Sequence, residues 1–233
     1  MSMPEQSSAT TQTITFPFGD QQREAYLARP EAEGPLAGLV IIHELNGLND
    51  NMRDIAVRFA KQGYAALAVD LFAGHNRALC VLRLFSGMAL RSLDNSAIRE
   101  LKAALSYLSE QPGVDRNRLG AVGFCMGGAF AIAWACTDQR LKAIAPFYGM
   151  NPRPLEAVAR SCPVVASYPE KDFTAPQGQR LDAALARYNI PHDFKTYPGA
   201  RHSFFNDTAH TYNAEASADS WQRMLAFFAD RLK

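Results

Sequence analysis

The chain has 233 residues, 48% of them hydrophobic, enough for one sizeable core and short for two full domains. Twenty-four Lys and Arg stand against 23 Asp and Glu with no basic run interleaved with aromatics, which argues against nucleic acid as a partner. The amino-terminal MSMPEQSSATTQT lacks the apolar centre of a signal peptide and no uncharged apolar run reaches membrane-spanning length, so a soluble, cytoplasmic protein with no membrane attachment is expected.

Residues 1–11 read as a flexible polar tail and 12–233 as a single α/β domain. Residues 12–18 and 22–29 flank Gly19-Asp20 with partial period-2 alternation, which predicts an opening hairpin at a sheet edge. LAGLVIIH at 36–43 is a short apolar run of the kind that becomes a strand buried on both faces, followed by a helical pattern over 52–61. The unit repeats. AALAV precedes Asp70, a helix fits 94–109, LGAVGF at 119–124 is a strand, and a helix runs from Met126 to about Cys136. Further strands fit 141–147, 163–168 and 192–197, and helices fit 177–188 and 213–231. A mostly parallel sheet with helices on both faces follows. Residues 72–92 are less regular and follow a strand end, where loops of an open α/β sheet line the ligand crevice; they are a candidate variable pocket wall.

Four cysteines, Cys80, Cys125, Cys136 and Cys162, lack the CxxC pairs of a zinc or redox site. Cys125 differs from the others: LGAVGFCMGGAFAIAWA reads as buried strand, abrupt turn and helix, the context of a nucleophile elbow, with Gly123, Gly127 and Gly128 as the small neighbours. At a helix amino terminus, backbone N–H groups favour a thiolate. The bland alternative is a buried structural cysteine beside a glycine turn.

A thiol nucleophile wants a base and an orienting carboxylate, which follow it in the order acid, histidine in the α/β-hydrolase arrangement. Asp172 lies just after the strand at 163–168 and His202 just after the strand at 192–197, so both fall beyond strand carboxyl ends, as Cys125 does. The competing histidines fit less well: His75 precedes the elbow, His192 opens a strand and His210 sits in a polar stretch. His43-Glu44-Leu45 follows the first buried strand, where such a fold places a loop supplying one oxyanion-hole N–H; Leu45 and Met126 are the expected donors. Glu44, near the cysteine, would disfavour the thiolate or hold its proton until substrate arrives. No HExxH follows His43, so no metal is implied.

VIIHELNGLN, RDIAVRFAKQGYAALAVDLF, VGFCMGGAFA, EKD and RHSFFND, with their spacing, resemble the dienelactone hydrolase (carboxymethylenebutenolidase) family over nearly the whole chain. The resemblance implies a compact α/β-hydrolase fold, usually monomeric, without a cofactor, and a triad of Cys125, Asp172 and His202. It also implies that Glu44 holds the cysteine side chain in a resting position. The activity implied is ring opening of a dienelactone to maleylacetate, a step in the breakdown of chlorinated aromatic compounds.

The family's dienelactone enzymes grip the substrate carboxylate with two arginines. One follows the HSF segment, where this chain has Asn206 and Asp207 instead; the other lies before the 94–109 helix, where Arg77, Arg83 and Arg91 are available. Arg201 is a possible substitute. Leu82, Phe85, Met88, Tyr148, Phe204 and Phe205 are candidates for an apolar pocket around a bulkier acyl or lactone group. Two alternatives stand beside the lactonase: a carboxylesterase or hydrolase of another lactone with the same triad, and a non-catalytic thiol sensor or binding protein on the same fold.

Overall fold

The computed structural model describes residues 8–31, 34–72 and 77–232, without the side chains of residues 77–79, 83, 85, 89 and 90. Strands β1 (Ala9–Phe18) and β2 (Gln21–Pro30) form the expected antiparallel hairpin about Gly19, whose φ of 62° suits a residue without Cβ. Pairing starts at Ala9↔Pro30, so residues 9–11, expected in the tail, belong to the sheet.

Strands β3 (Leu36–Ile42) and β4 (Tyr64–Val69) are buried at every position, which is why each reads as an unbroken apolar run. Between them, α1 (Asp50–Lys61) starts where the Asn49 side chain accepts from the Met52 amide at 3.1 Å and buries Met52, Ile55, Ala56 and Phe59 on one face. Helix α2 (Arg77–Leu90) occupies most of the segment expected to be irregular. Helix α3 (Ser96–Ser109) begins two residues later than its sequence pattern, because Asn95 caps the Ile98 amide instead of joining the helix.

β5 (Val114–Phe124) is longer than expected at its start, where VDRNR carries no apolar signal. Then come α4 (Met126–Ala135), β6 (Leu141–Phe147), β7 (Val164–Lys171), α5 (Ala175–Arg187), β8 (His192–Arg201) and α6 (Ala214–Arg231). The sheet order is β1-β2-β4-β3-β5-β6-β7-β8, with β2 antiparallel to both neighbours and all later pairs parallel.

Helices cover both faces. Phe59 of α1 and Trp221, Met224 and Phe228 of α6 pack on one, while Leu101 of α3, Phe130 and Trp134 of α4 and Leu181 of α5 pack on the other. Every residue of α4 is buried, as its lack of a polar face demands.

Candidate active site

Strand register alone brings the site together. Ile42 pairs with Gly123, Phe124 with Phe147 and Lys171 with Arg201, so the residues just past these pairs lie along one edge of adjacent parallel strands. His43 and Glu44 leave β3, Cys125 leaves β5, Tyr148 leaves β6, Asp172 leaves β7 and His202 leaves β8.

The bend at Cys125 is sharp. The residue has φ 54° and ψ −114° and stands at the cap of α4, and its amide donates to the Phe147 carbonyl at 3.1 Å. A Cβ on Gly123 would lie 2.1 Å from the Gly127 oxygen, on Gly127 2.3 Å from the Ile42 oxygen, and on Gly128 2.5 Å from the Phe147 oxygen. The glycines therefore let α4 start in backbone contact with β3, β5 and β6. Among the described residues, Cys125, Tyr148 and Ser203 are three of the four non-glycine positions with positive φ, and all three line one pocket. Backbone conformations of this kind cost about 1–3 kcal/mol each and gather where a site needs a side chain aimed against local preference.

His202 bridges the acid and the thiol. Its Nδ1 lies 2.7 Å from Asp172 Oδ2, and Cys125 lines the same pocket as the ring. Burial works against a charge on the imidazole, but the hydrogen bonds and negative charges of Asp172 and Cys125 prevail and push it up to about 10. The Asp172 carboxyl is likewise disfavoured as an anion by burial, yet bonds from His202 and Thr174 hold it below the usual carboxylate value.

The Glu44 carboxylate is buried and takes its hydrogen bonds from three other side chains: Tyr148 Oη at 2.9 Å, Ser203 Oγ at 3.0 Å and Asn206 Nδ2 at 3.1 Å. None of them is Cys125, so this arrangement differs from the expected resting contact between Glu44 and the thiol. Burial, then the Glu44 charge, raise the Tyr148 phenol well above its ordinary value. His43 is structural: Nε2 accepts from the Leu71 amide at 3.0 Å, and the ring packs on Phe72 at 4.7 Å. His192 contacts Ile190 and Asp182 away from the site, His210 is exposed, and His75 lies outside the described residues.

A cavity of about 310 Å³ opens over Cys125 and His202. Leu45 and Met126, the expected oxyanion donors, line it, as do Met88 of α2 and Tyr148. The expected pocket aromatics Phe204 and Phe205 do not. The turn at Ser203, closed by the Asn206 amide on the Ser203 carbonyl, sends both rings under the sheet, where Phe205 stacks on Phe124 at 5.1 Å and Phe204 packs on Tyr197 at 5.1 Å.

Leu82 is exposed rather than in the pocket. Arg91 and Arg201 are exposed outside the cavity lining, and the side chains of Arg77, Arg83 and Phe85 lie outside the described residues. Phe173 and Met150 fill the apolar wall instead. The Phe173 ring is 69% exposed yet stacks on the His202 imidazole at 5.1 Å and 22°. Only its place beside Asp172 marks it in the sequence.

Among the described residues no group of three His, Cys, Asp or Glu is placed to hold a metal ion, and no helix is long and apolar enough to cross a membrane.

The model of the dienelactone hydrolase family matches residues 23–232. A Synechocystis sp. protein with a provisional carboxymethylenebutenolidase name is 31% identical, with 96% of this chain and 98% of that one covered. A Saccharolobus solfataricus protein of the same provisional name is 32% identical over 87% and 92%. Among solved structures, a dienelactone hydrolase-like promiscuous phosphotriesterase from metagenomic libraries superposes with a TM-score of 0.87 at 27% identity, covering 97% of this chain and 99% of that one. The match over nearly the full chain, on a sheet of α/β-hydrolase type, makes this protein a hydrolase of ester bonds belonging to the dienelactone hydrolase family.

Proposed function

We propose that the protein hydrolyses a lactone or carboxylic ester through a thioester on Cys125, with His202 and Asp172 completing a triad. The observation that carries this reading is His202 held between Asp172 and Cys125 at the carboxyl edge of the sheet. Transfer of the Cys125 proton to His202, favoured by the Asp172 carboxylate on the far side of the ring, gives the reacting pair of thiolate and imidazolium.

In the first half-reaction the Cys125 sulfur forms a bond to the carbonyl carbon while the C=O electron pair moves onto oxygen. That oxyanion accepts from the Leu45 and Met126 amides. When the intermediate collapses, the C–O bond to the leaving group breaks and the departing oxygen takes the His202 proton; an enolate leaving group from a lactone needs it least. Neutral His202 then removes a proton from water, the resulting hydroxyl attacks the thioester, and collapse returns the thiolate and imidazolium. Asp172 keeps the ring in the tautomer that presents Nε2 to the sulfur and supports its charge.

Dienelactone is the substrate that the carboxymethylenebutenolidase name of the relatives suggests. A neutral phosphotriester joins the assay because one structural relative is described as a promiscuous phosphotriesterase. The test is kcat/KM for cis- and trans-dienelactone, p-nitrophenyl acetate and a p-nitrophenyl phosphotriester on wild type and Cys125→Ala. Ester or lactone turnover lost in the variant is the expected result; turnover undiminished by the substitution contradicts the nucleophile. Stoichiometric thiol labelling with no turnover of any substrate favours a thiol sensor.

A further inference from the structure

Phe173 does little for the fold. The turn that carries Asp172 fixes its place: the Ala175 amide donates to the Asp172 carbonyl at 3.1 Å, and the Thr174 hydroxyl donates to the Asp172 carboxylate. The ring stacks on His202 at 5.1 Å and 22°, yet the residue stays 69% exposed, so its burial adds little to stability. Tyr148 also lies against the imidazole, at 4.9 Å, but is buried and held by its bond to Glu44. His202 thus has one aromatic neighbour that belongs to the core and one that does not.

Phe173 is not alone at the cavity mouth. Among the described residues the large hydrophobics left exposed are Leu82, Met150, Phe173 and Tyr212, and two of these, Met150 and Phe173, line the cavity that holds Cys125 and His202. Apolar side chains left in water gain nothing for folding, so their gathering over these two residues marks contact with an apolar ligand. Met88, half-buried on α2, lines the same cavity and, like Met150, is a flexible thioether suited to contact with an aromatic ring.

In the acyl-transfer steps the acyl group stays on sulfur, the carbonyl oxygen turns to the Leu45 and Met126 amides, and the departing oxygen takes the His202 proton. The alcohol portion therefore leaves past His202, where Phe173 stands. On the basis of that reading, we propose that Phe173, with Met150, forms an alcohol-side subsite and is the specificity residue that favours esters whose departing oxygen is borne on an aromatic ring. A phenolate also asks little of the proton on His202, so recognition and chemistry favour the same class of substrate.

The test compares phenyl acetate with hexafluoroisopropyl acetate, whose alcohols are of similar acidity, on wild type, Phe173→Ala and Phe173→Tyr. The kcat/KM ratio of phenyl to hexafluoroisopropyl ester should fall about three- to tenfold in Phe173→Ala, the scale of an aromatic pair. It should stay within about twofold of wild type in Phe173→Tyr, which keeps the ring. A second pair, p-nitrophenyl benzoate and p-nitrophenyl acetate, puts the added ring on the acyl side, and the ratio of these two should move less than about twofold in Phe173→Ala. An unchanged alcohol-side ratio overturns the proposal, as does an equal fall in Phe173→Tyr or a fall in the acyl-side ratio at least as large.

A second readout needs no turnover. Naphthol should slow the alkylation of Cys125 by iodoacetamide, followed by peptide mapping, and the concentration giving half protection should rise about three- to tenfold in Phe173→Ala. No protection of wild type, or equal protection of both proteins, overturns the subsite. If no ester is hydrolysed while protection weakens as expected in the variant, the hydrolase reading fails and the aromatic subsite stands.

Discussion

Helix α4 has a cysteine at each end, and the two could hardly be more different. Cys125 caps the amino terminus in a positive-φ bend and faces a pocket that His202 also lines. Cys136 caps the carboxyl terminus, is 1% exposed, and lies within 3.1 Å of the Ile132 carbonyl, to which its thiol donates. Burial pushes that thiol up to about 12 despite the nearby Arg160. The proposed nucleophile and a buried, inert thiol thus sit on one helix, set apart by which end each occupies and what stands opposite.

Replacing each cysteine is the sharpest way to break the comparison. Cys125→Ala should lower kcat by about 10⁴-fold or more, the scale on which loss of a triad nucleophile is felt, measured in steady-state ester hydrolysis with the fold checked by circular dichroism. Asp172→Asn comes next, with a loss of about 10²- to 10⁴-fold, because an amide presents the wrong partner to the ring. The His202 titration, followed by NMR, should also move down from about 10 in this variant.

Gly127→Ala attacks the frame that holds the bend. Its Cβ would meet the Ile42 and His43 carbonyl oxygens at 2.3 and 2.8 Å, neither able to move as a flexible side chain would. A loss of about 3 kcal/mol or more in urea unfolding, or failure to accumulate as soluble protein, is expected.

The pH dependence of stability separates the two ends without a substitution at Cys136. A raised imidazole contributes stability that is complete below the ordinary histidine range and disappears as pH climbs toward about 10. Asp172 acts in the opposite sense, contributing above the ordinary carboxylate range and losing that contribution as pH falls. Thermal scans across pH should therefore show an alkaline decline that begins at lower pH in Cys125→Ala, where one of the charges supporting His202 is gone. The smallest effect is that of Cys136→Ala: kcat within about twofold of wild type and a stability cost of about 1 kcal/mol.

The sequence is most readable where one physical signal dominates. Unbroken apolar runs gave β3 and β4, and the glycine spacing around Cys125 gave the bend, because backbone contact at Gly123, Gly127 and Gly128 leaves no room for any side chain. Asp172 and His202 were legible from their positions just past predicted strands, and the Lys171↔Arg201 pairing explains why that suffices to set them side by side.

What failed depended on the direction of side chains after a turn. Nothing in RHSFFND says that the positive φ of Ser203 carries Phe204 and Phe205 to the opposite face of the sheet while Asn206 turns toward Glu44. Phe173 was missed for a related reason: an exposed aromatic in a polar loop looks like surface until the stacking on His202 is seen. Helix α2 was hidden because Arg83, Ser86 and Gly87 interrupt its apolar residues.

The most direct test of the central claim is to trap the acyl-enzyme. Wild type mixed with excess p-nitrophenyl acetate and quenched in acid within the first turnovers should carry one acetyl group, and peptide mapping should locate it on Cys125, with none on Cys80, Cys136 or Cys162. An acetyl group found elsewhere, or catalytic release of nitrophenol with no acyl-cysteine at any quench time and no loss in Cys125→Ala, would contradict it.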